Sequence, residues 1–199
     1  MMAPPPLRRH VLSDGDVSVA LLSLGCITQD WRVPLGGAPV PVVLGYADPQ
    51  DYLRHPTSMG VIAGRVANRI KDSAFDLNGM TYQLPPNAGA LHLHGGDEGL
   101  GRQVWKGQVD EANNAVRFTH FSPDGAMGYP GNVNFSATYS LKDNVLRLEL
   151  YATTDMATPI SLVQHQYFNL GTTDDVLVGS PGWNGTAGTD VGAVRLYLG

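Results

Sequence analysis

Apolar and polar residues along this chain repeat most clearly with a period of two, the signature of half-buried strands. Val17–Leu24 alternates loosely and predicts a strand closed by Gly25. Val40–Tyr46 predicts another, with Pro41 near its start because proline lacks the N–H that a ladder interior needs. The sharpest local signal is Phe75-Asp-Leu-Asn-Gly-Met-Thr-Tyr-Gln-Leu84, where Asn78-Gly79 suits the two positive-φ positions of a type I′ hairpin turn. A second hairpin is expected about Lys142-Asp143-Asn144, joining Phe135–Leu141 to Val145–Ala152. In Val145-Leu-Arg-Leu-Glu-Leu-Tyr151 the leucines take one face, leaving Val145, Arg147, Glu149 and Tyr151 on the other. Met59–Ile70 is the nearest approach to a helical segment, and Gly60 and Gly64 weaken it. The pattern therefore predicts an all-β chain, a β-sandwich. Residues 1–10 read as a flexible leader, 11–177 as the domain and 178–199 as a Gly/Ser/Thr-rich tail, in which Val191–Leu198 could form one more strand.

Composition narrows the classes. A chain of 199 residues has room for one domain with a sizeable core. Its 24 glycines and 14 prolines favour many short strands over long helices. The formal net charge of −5 supplies no basic field for a nucleic-acid backbone, and Arg8, Arg9 and His10 are too few to form an arm. Cys26 is the sole cysteine, which excludes an internal disulfide and thiol-rich metal sites. No apolar run reaches membrane-spanning length, and Pro4-Pro-Pro6 stands where a signal peptide needs an apolar helix, so a cytoplasmic location is expected.

Three strings carry candidate chemistry. In Leu91-His-Leu-His94-Gly-Gly96 an extended backbone puts His92 and His94 on one face, and the glycines leave room beside them. The plain alternative is a hydrogen-bonded structural histidine followed by a turn. In Gln164-His-Gln-Tyr-Phe-Asn-Leu170, His165 shares a face with Tyr167 and Asn169, a set suited to a polar, ring-shaped ligand; alone, it too is commonly structural. In Gly64-Arg-Val-Ala-Asn-Arg-Ile70, Arg65 and Arg69 sit among small and apolar residues. They could clamp hydroxyls or a carboxylate, or equally form a buried ion pair holding a loop. Asp97, Glu98 and Asp124 read as turn or surface residues.

Taken in order, these strings resemble the aldose 1-epimerase (galactose mutarotase) family from about Val17 to Leu177. The resemblance rests on Gly64–Ile70, the Phe75–Leu84 hairpin, Leu93-His-Gly-Gly96 with Trp105, Ser122-Pro-Asp-Gly125, Gly128-Tyr-Pro-Gly131 and His165–Leu170. It implies a β-supersandwich, incomplete here, that interconverts the α and β anomers of a free hexose such as galactose or glucose. By that resemblance His165 is the acid that protonates the ring oxygen, His94 assists by hydrogen bonding there, and Asn68 and Arg69 hold sugar hydroxyls. No cofactor or metal is implied. The family's general base is a glutamate in a C-terminal half beyond the His165 string, and no residue of this chain is assigned that role. Such a partial sandwich is expected to expose strand edges and to self-associate through them. Three alternatives remain: a metal-binding cupin using His92, His94, Glu98 and His165, a non-catalytic carbohydrate-binding protein, and a sugar-phosphate epimerase with Arg65 and Arg69 on the phosphate.

Overall fold

The computed structural model describes residues 6–169 and the strand backbone at 192–195. The first sheet is four-stranded and antiparallel, with β1 (Arg9–Asp14), β2 (Val17–Leu22), β3 (Thr28–Leu35) and β4 (Ala38–Pro41) in sequence order. A four-residue helix, α1 (Asp51–Arg54), follows. Next come β5 (Ile62–Ala63), β6 (Arg69–Ile70), β7 (Ala74–Leu77), β8 (Met80–Gln83) and β9 (His92–Leu93). The second large sheet is built from β10 (Lys106–Asp110), β11 (Ala115–Ser122), β12 (Val133–Lys142) and β13 (Val145–Thr154). After β14 (Val163–Gln164), β15 (Gly192–Arg195) adds to the free side of β13, giving the order β10-β11-β12-β13-β15. Among the described residues no helix is long and apolar enough to cross a membrane.

The two large sheets face each other across one apolar layer. Leu12, Val17, Val19, Leu21 and Trp31 from the first meet Val116, Phe118, Phe135, Tyr139, Leu141, Leu146 and Leu148 from the second. Burying each large apolar side chain is worth about 1.5–3 kcal/mol, so this layer drives the sandwich. The alternation that predicts β13 holds: Leu146 and Leu148 are buried, whereas Arg147, Glu149 and Tyr151 are exposed. Both hairpins form as expected. Asn78 and Gly79 have φ of 51° and 77°, and Asp143 and Asn144 have 52° and 60°, all in the left-handed region that a type I′ turn demands.

Two segments depart from the sequence-based expectation. The strand begins and ends earlier than Val40–Tyr46: β4 stops at Pro41, and Val42 and Val43 turn away from it. Val42 N–H then donates to Trp31 O at 2.8 Å, while Val43 bridges to Phe168, joining the first sheet to the histidine segment. Met59–Ile70 is not helical, in keeping with the weakening effect of its glycines, and holds the two short strands β5 and β6. At the N-terminus, β1 starts at Arg9, two residues before the expected domain boundary, and Arg8 N–H donates to Ser23 Oγ at 2.9 Å. The predicted tail lies outside the described residues except for β15.

Arg65 ties the loops at one end of the sandwich together. It is 2% exposed, and its guanidinium donates to Ser122 Oγ (2.9 Å from Nη2), Ser122 O (3.0 Å), Pro123 O (2.9 Å), Pro130 O (2.9 Å) and Thr158 Oγ1 (3.3 Å). The sequence left open a clamp for a ligand or a buried ion pair. The structure shows neither: every acceptor is neutral, and all belong to the protein. Burial pulls the pKa of the guanidinium below its ordinary value, with Tyr129, Asp124 and Asp155 opposing that effect. The Tyr129 ring lies 5.8 Å from Arg65 Cζ. Arg65→Lys keeps the charge but loses the planar fork and orphans several carbonyls. It is expected to lower stability by about 3 kcal/mol in urea unfolding. A loss under about 1 kcal/mol would contradict this role for Arg65.

Candidate active site

His92 and His94 are two residues apart but occupy different environments. β9 pairs with β6 so that Leu93 faces Arg69 and His92 faces Ile70. His92 is fully buried, with its ring edge-on to Tyr129 at 5.4 Å. Its Nδ1 lies 2.7 Å from Pro85 O, and because a carbonyl only accepts, Nδ1 carries the proton. His94 has φ of 54°, so the chain leaves the strand there and the expected sharing of a face does not occur. Leu93 is held in register by Asn87, whose Oδ1 accepts from Leu93 N–H at 2.6 Å and whose Nδ2 donates to Leu93 O at 3.1 Å. Gly95, with φ of 87°, then crosses the Gly64 backbone so closely that a Cβ would overlap the Gly64 carbonyl. Only glycine fits that crossing, and it brings the two strings together.

The His165 segment is laid between two others. His165 N–H donates to Val61 O and Gly60 N–H donates to His165 O, both at 2.8 Å. Two residues on, Leu44 N–H donates to Tyr167 O at 2.9 Å, and Asn169 N–H to Val42 O at 2.8 Å. The extended backbone puts His165 and Tyr167 side by side, with ring centroids 5.3 Å apart, as the sequence predicts. Phe168 turns the other way, edge-on to Trp31 at 6.1 Å.

These supports bring four sequence-predicted residues into one cluster. The rings of His94 and His165 meet edge-to-face, with centroids 4.9 Å apart and an interplanar angle of 88°. Asn68 N–H donates to His94 Nδ1 at 3.0 Å, and Arg69 Nη1 donates to Asn68 Oδ1 at 3.1 Å. Burial, then the neighbouring His165 and Arg69, pull the His94 pKa down to about 4. His94 is therefore a neutral hydrogen-bond donor at neutral pH and cannot serve there as the proton-donating imidazolium. Two imidazoles in contact, one of them a neutral donor, are groups that acid–base chemistry at neutral pH can use.

A polar cavity of about 210 Å³ opens beside His94, lined by Thr57, Ser58, Asn87, Asp97 and Arg102 among others. The sequence gives no periodic cue for Thr57, Ser58 or Arg102, because irregular segments bring them here. It also conceals Asn87, whose pairing partner is known only once β9 is placed.

Other expectations are corrected. Arg65 is committed to the Ser122–Pro130 loops and is not free for a phosphate. His92 points into the core, so the cupin set of His92, His94, Glu98 and His165 does not assemble. Among the described residues no three His, Cys, Asp or Glu side chains converge as a metal site would require. Asp124 has a structural role, as the turn reading implies: its carboxylate accepts from Gly131 N–H, and its own N–H donates to Asn132 Oδ1 at 2.9 Å.

The lowered pKa of His94 has a consequence for stability. Between pH 6.5 and about 4 the unfolded chain takes up a proton at this residue and the folded chain does not, so stability falls as pH falls through that window. Above pH 6.5 the residue contributes no pH dependence. His10 and His120 are lowered by burial and act in the same direction. Urea unfolding across pH 7 to 4 is expected to show this decline, and His94→Gln to flatten it; an unchanged slope would remove His94 as a source.

Relatives and solved structures bear on the family and the fold. The aldose 1-epimerase family profile matches residues 8–183. Galactose mutarotase of Rattus norvegicus is 38% identical over 165 residues, covering 82% of this chain and 48% of its own length. Aldose 1-epimerase of Escherichia coli K12 is 36% identical over 154 residues, covering 76% and 44%. Among solved structures, an aldose epimerase homologue from C. elegans superposes with a TM-score of 0.79 at 30% identity, over 83% of this chain and 52% of that one. Galactose 1-epimerase from Lactobacillus acidophilus NCFM gives 0.74 at 32%, over 83% and 49%. The chain spans about half the length of the relatives it matches. With the profile covering most of its length and the sandwich shared, the chain belongs to the aldose 1-epimerase family.

Proposed function

We propose that this chain supplies the histidine wall of an aldose 1-epimerase site that acts on free hexoses such as galactose and glucose. The observation that carries the reading is the contact of His94 with His165, next to the exposed polar pair Asn68 and Arg69. Anomer exchange needs the C1 hydroxyl proton removed and the ring oxygen protonated; the C1–C2 bond then rotates and the ring closes with the proton moves reversed. In this reading His165 protonates the ring oxygen, and neutral His94 donates a hydrogen bond to it. Asn68 and Arg69 hold hydroxyls of the sugar. No described residue is assigned as the base that removes the C1 proton, and losing a positioned base removes about 10²–10⁴-fold of rate.

A sheet edge gives the same reading a partner. β4 carries Pro39 and Pro41, which blunt that edge against pairing, whereas β10 (Lys106–Asp110) has no proline and pairs on one side only. The free edge of β10 supports self-association there, in a cytoplasmic setting, as part of this proposal.

Polarimetry of freshly dissolved α-galactose tests the enzyme reading. The chain is expected to speed the approach to equilibrium, with an increment that grows as acetate is added to stand in for the base, and His165→Ala is expected to lose that increment. Equal rates for both proteins at every acetate concentration would overturn it. Galactose-induced shifts of the His94 and His165 ring resonances without acceleration would reduce the chain to a sugar-binding protein.

A further inference from the structure

We propose that Asn68 is a positioning residue that acts through its backbone, locking the ring of His94 as a donor with its proton on Nε2. The proposal deepens the epimerase reading and rests on it for its catalytic consequence alone.

The observation is a reciprocal pair of hydrogen bonds. Asn68 N–H donates to His94 Nδ1 at 3.0 Å, and His94 N–H donates to Asn68 O at 3.0 Å. An amide N–H only donates, so Nδ1 must be the unprotonated nitrogen, and the neutral ring then carries its hydrogen on Nε2. Protonating Nδ1 would set two N–H groups against each other and break the bond. The other titratable groups near the ring are His165, Arg69 and, across the adjoining cavity, Asp97 and Arg102. His165 and Arg69 add to burial in opposing a cation there.

The backbone is shaped for this contact. Asn68 and His94 have φ of 64° and 54°, in the left-handed region that most non-glycine residues avoid. Asparagine and histidine tolerate it better than most residues. The Asn68 side chain is directed elsewhere, since its Oδ1 accepts from Arg69. The locking function therefore belongs to the main chain at this position, which sequence comparison of side chains alone would credit to the amide. His92 provides an internal contrast: a carbonyl faces its Nδ1, so it holds the opposite tautomer two residues away.

Nitrogen NMR of the ¹⁵N-histidine-labelled chain without sugar tests this. The wild type is expected to show His94 with an acceptor-type Nδ1 and a protonated Nε2 down to about pH 4, and His92 with a protonated Nδ1. Asn68→Gly keeps the backbone N–H and the left-handed conformation, and is expected to retain the His94 pattern. Asn68→Val disfavours that conformation; its His94 is expected to become a mixture of tautomers, while the His92 signature certifies the fold. A wild-type His94 protonated at Nδ1 would overturn the proposal, as would loss of the pattern in Asn68→Gly or its persistence in folded Asn68→Val. Should Asn68→Val fail to fold, the wild type and Asn68→Gly decide the matter. The readout needs no turnover, so a locked tautomer with no polarimetric acceleration would sink the epimerase reading and leave this one standing.

Discussion

A single buried guanidinium organises the end of the sandwich on which the histidines sit. Taking Arg65 out of water is costly, and no carboxylate among the described residues repays it at ion-pair distance. The compensation comes from carbonyls and hydroxyls contributed by Ser122, Pro123, Pro130 and Thr158. All of these acceptors lie at least 57 positions from Arg65, so one planar fork defines the position of its own segment relative to these loops, which the strand ladders leave undetermined. Arg65 C=O also accepts from Ser161 N–H at 2.9 Å, which ties the same residue to the approach to His165. Arg65 thus links the loops, through its side chain, to the segment leading to His165, through its backbone.

The catalytic candidates lie outside the large sheets, on ladders of two residues each. β5 with β14 presents His165, and β6 with β9 presents His94. Ladders this short have little stability of their own, and they persist because both are held against the sandwich. Gly95 lets its segment approach the Gly64 backbone to contact. The left-handed turns at Asn68 and His94 then redirect a side chain that a continuing strand would have pointed elsewhere. Two histidines from neighbouring positions consequently end in different settings, His92 fixed in the core and His94 in the cleft.

Much of the architecture was legible in the sequence because strand alternation and type I′ turns are local. The Asn78-Gly79 and Asp143-Asn144 turns and the leucine face of β13 depend on residues within a few positions of each other. The pairing of His165 with Tyr167 was legible for the same reason. The end of β4 was misplaced because Val40–Tyr46 is uniformly apolar, and the partner that draws Val43 away, Phe168, lies 125 positions later. The common face assigned to His92 and His94 failed because a single positive φ breaks the period-two rule, and no local residue other than the following glycines announces it.

By itself the sequence determined the all-β class, the two hairpins, the family, and a short set of residues from which the site is made. Each of these follows from local periodicity, turn chemistry or a motif read in order. Tertiary structure alone decided which histidine enters the core and which the cleft. It also turned Arg65 from an apparent ligand clamp into a loop anchor, and placed Asn87, Thr57 and Ser58 beside His94. The reason is physical: burial, hydrogen-bond direction and close backbone approach depend on partners distant along the chain, and these fix the proton on His94 and the orientation of its ring.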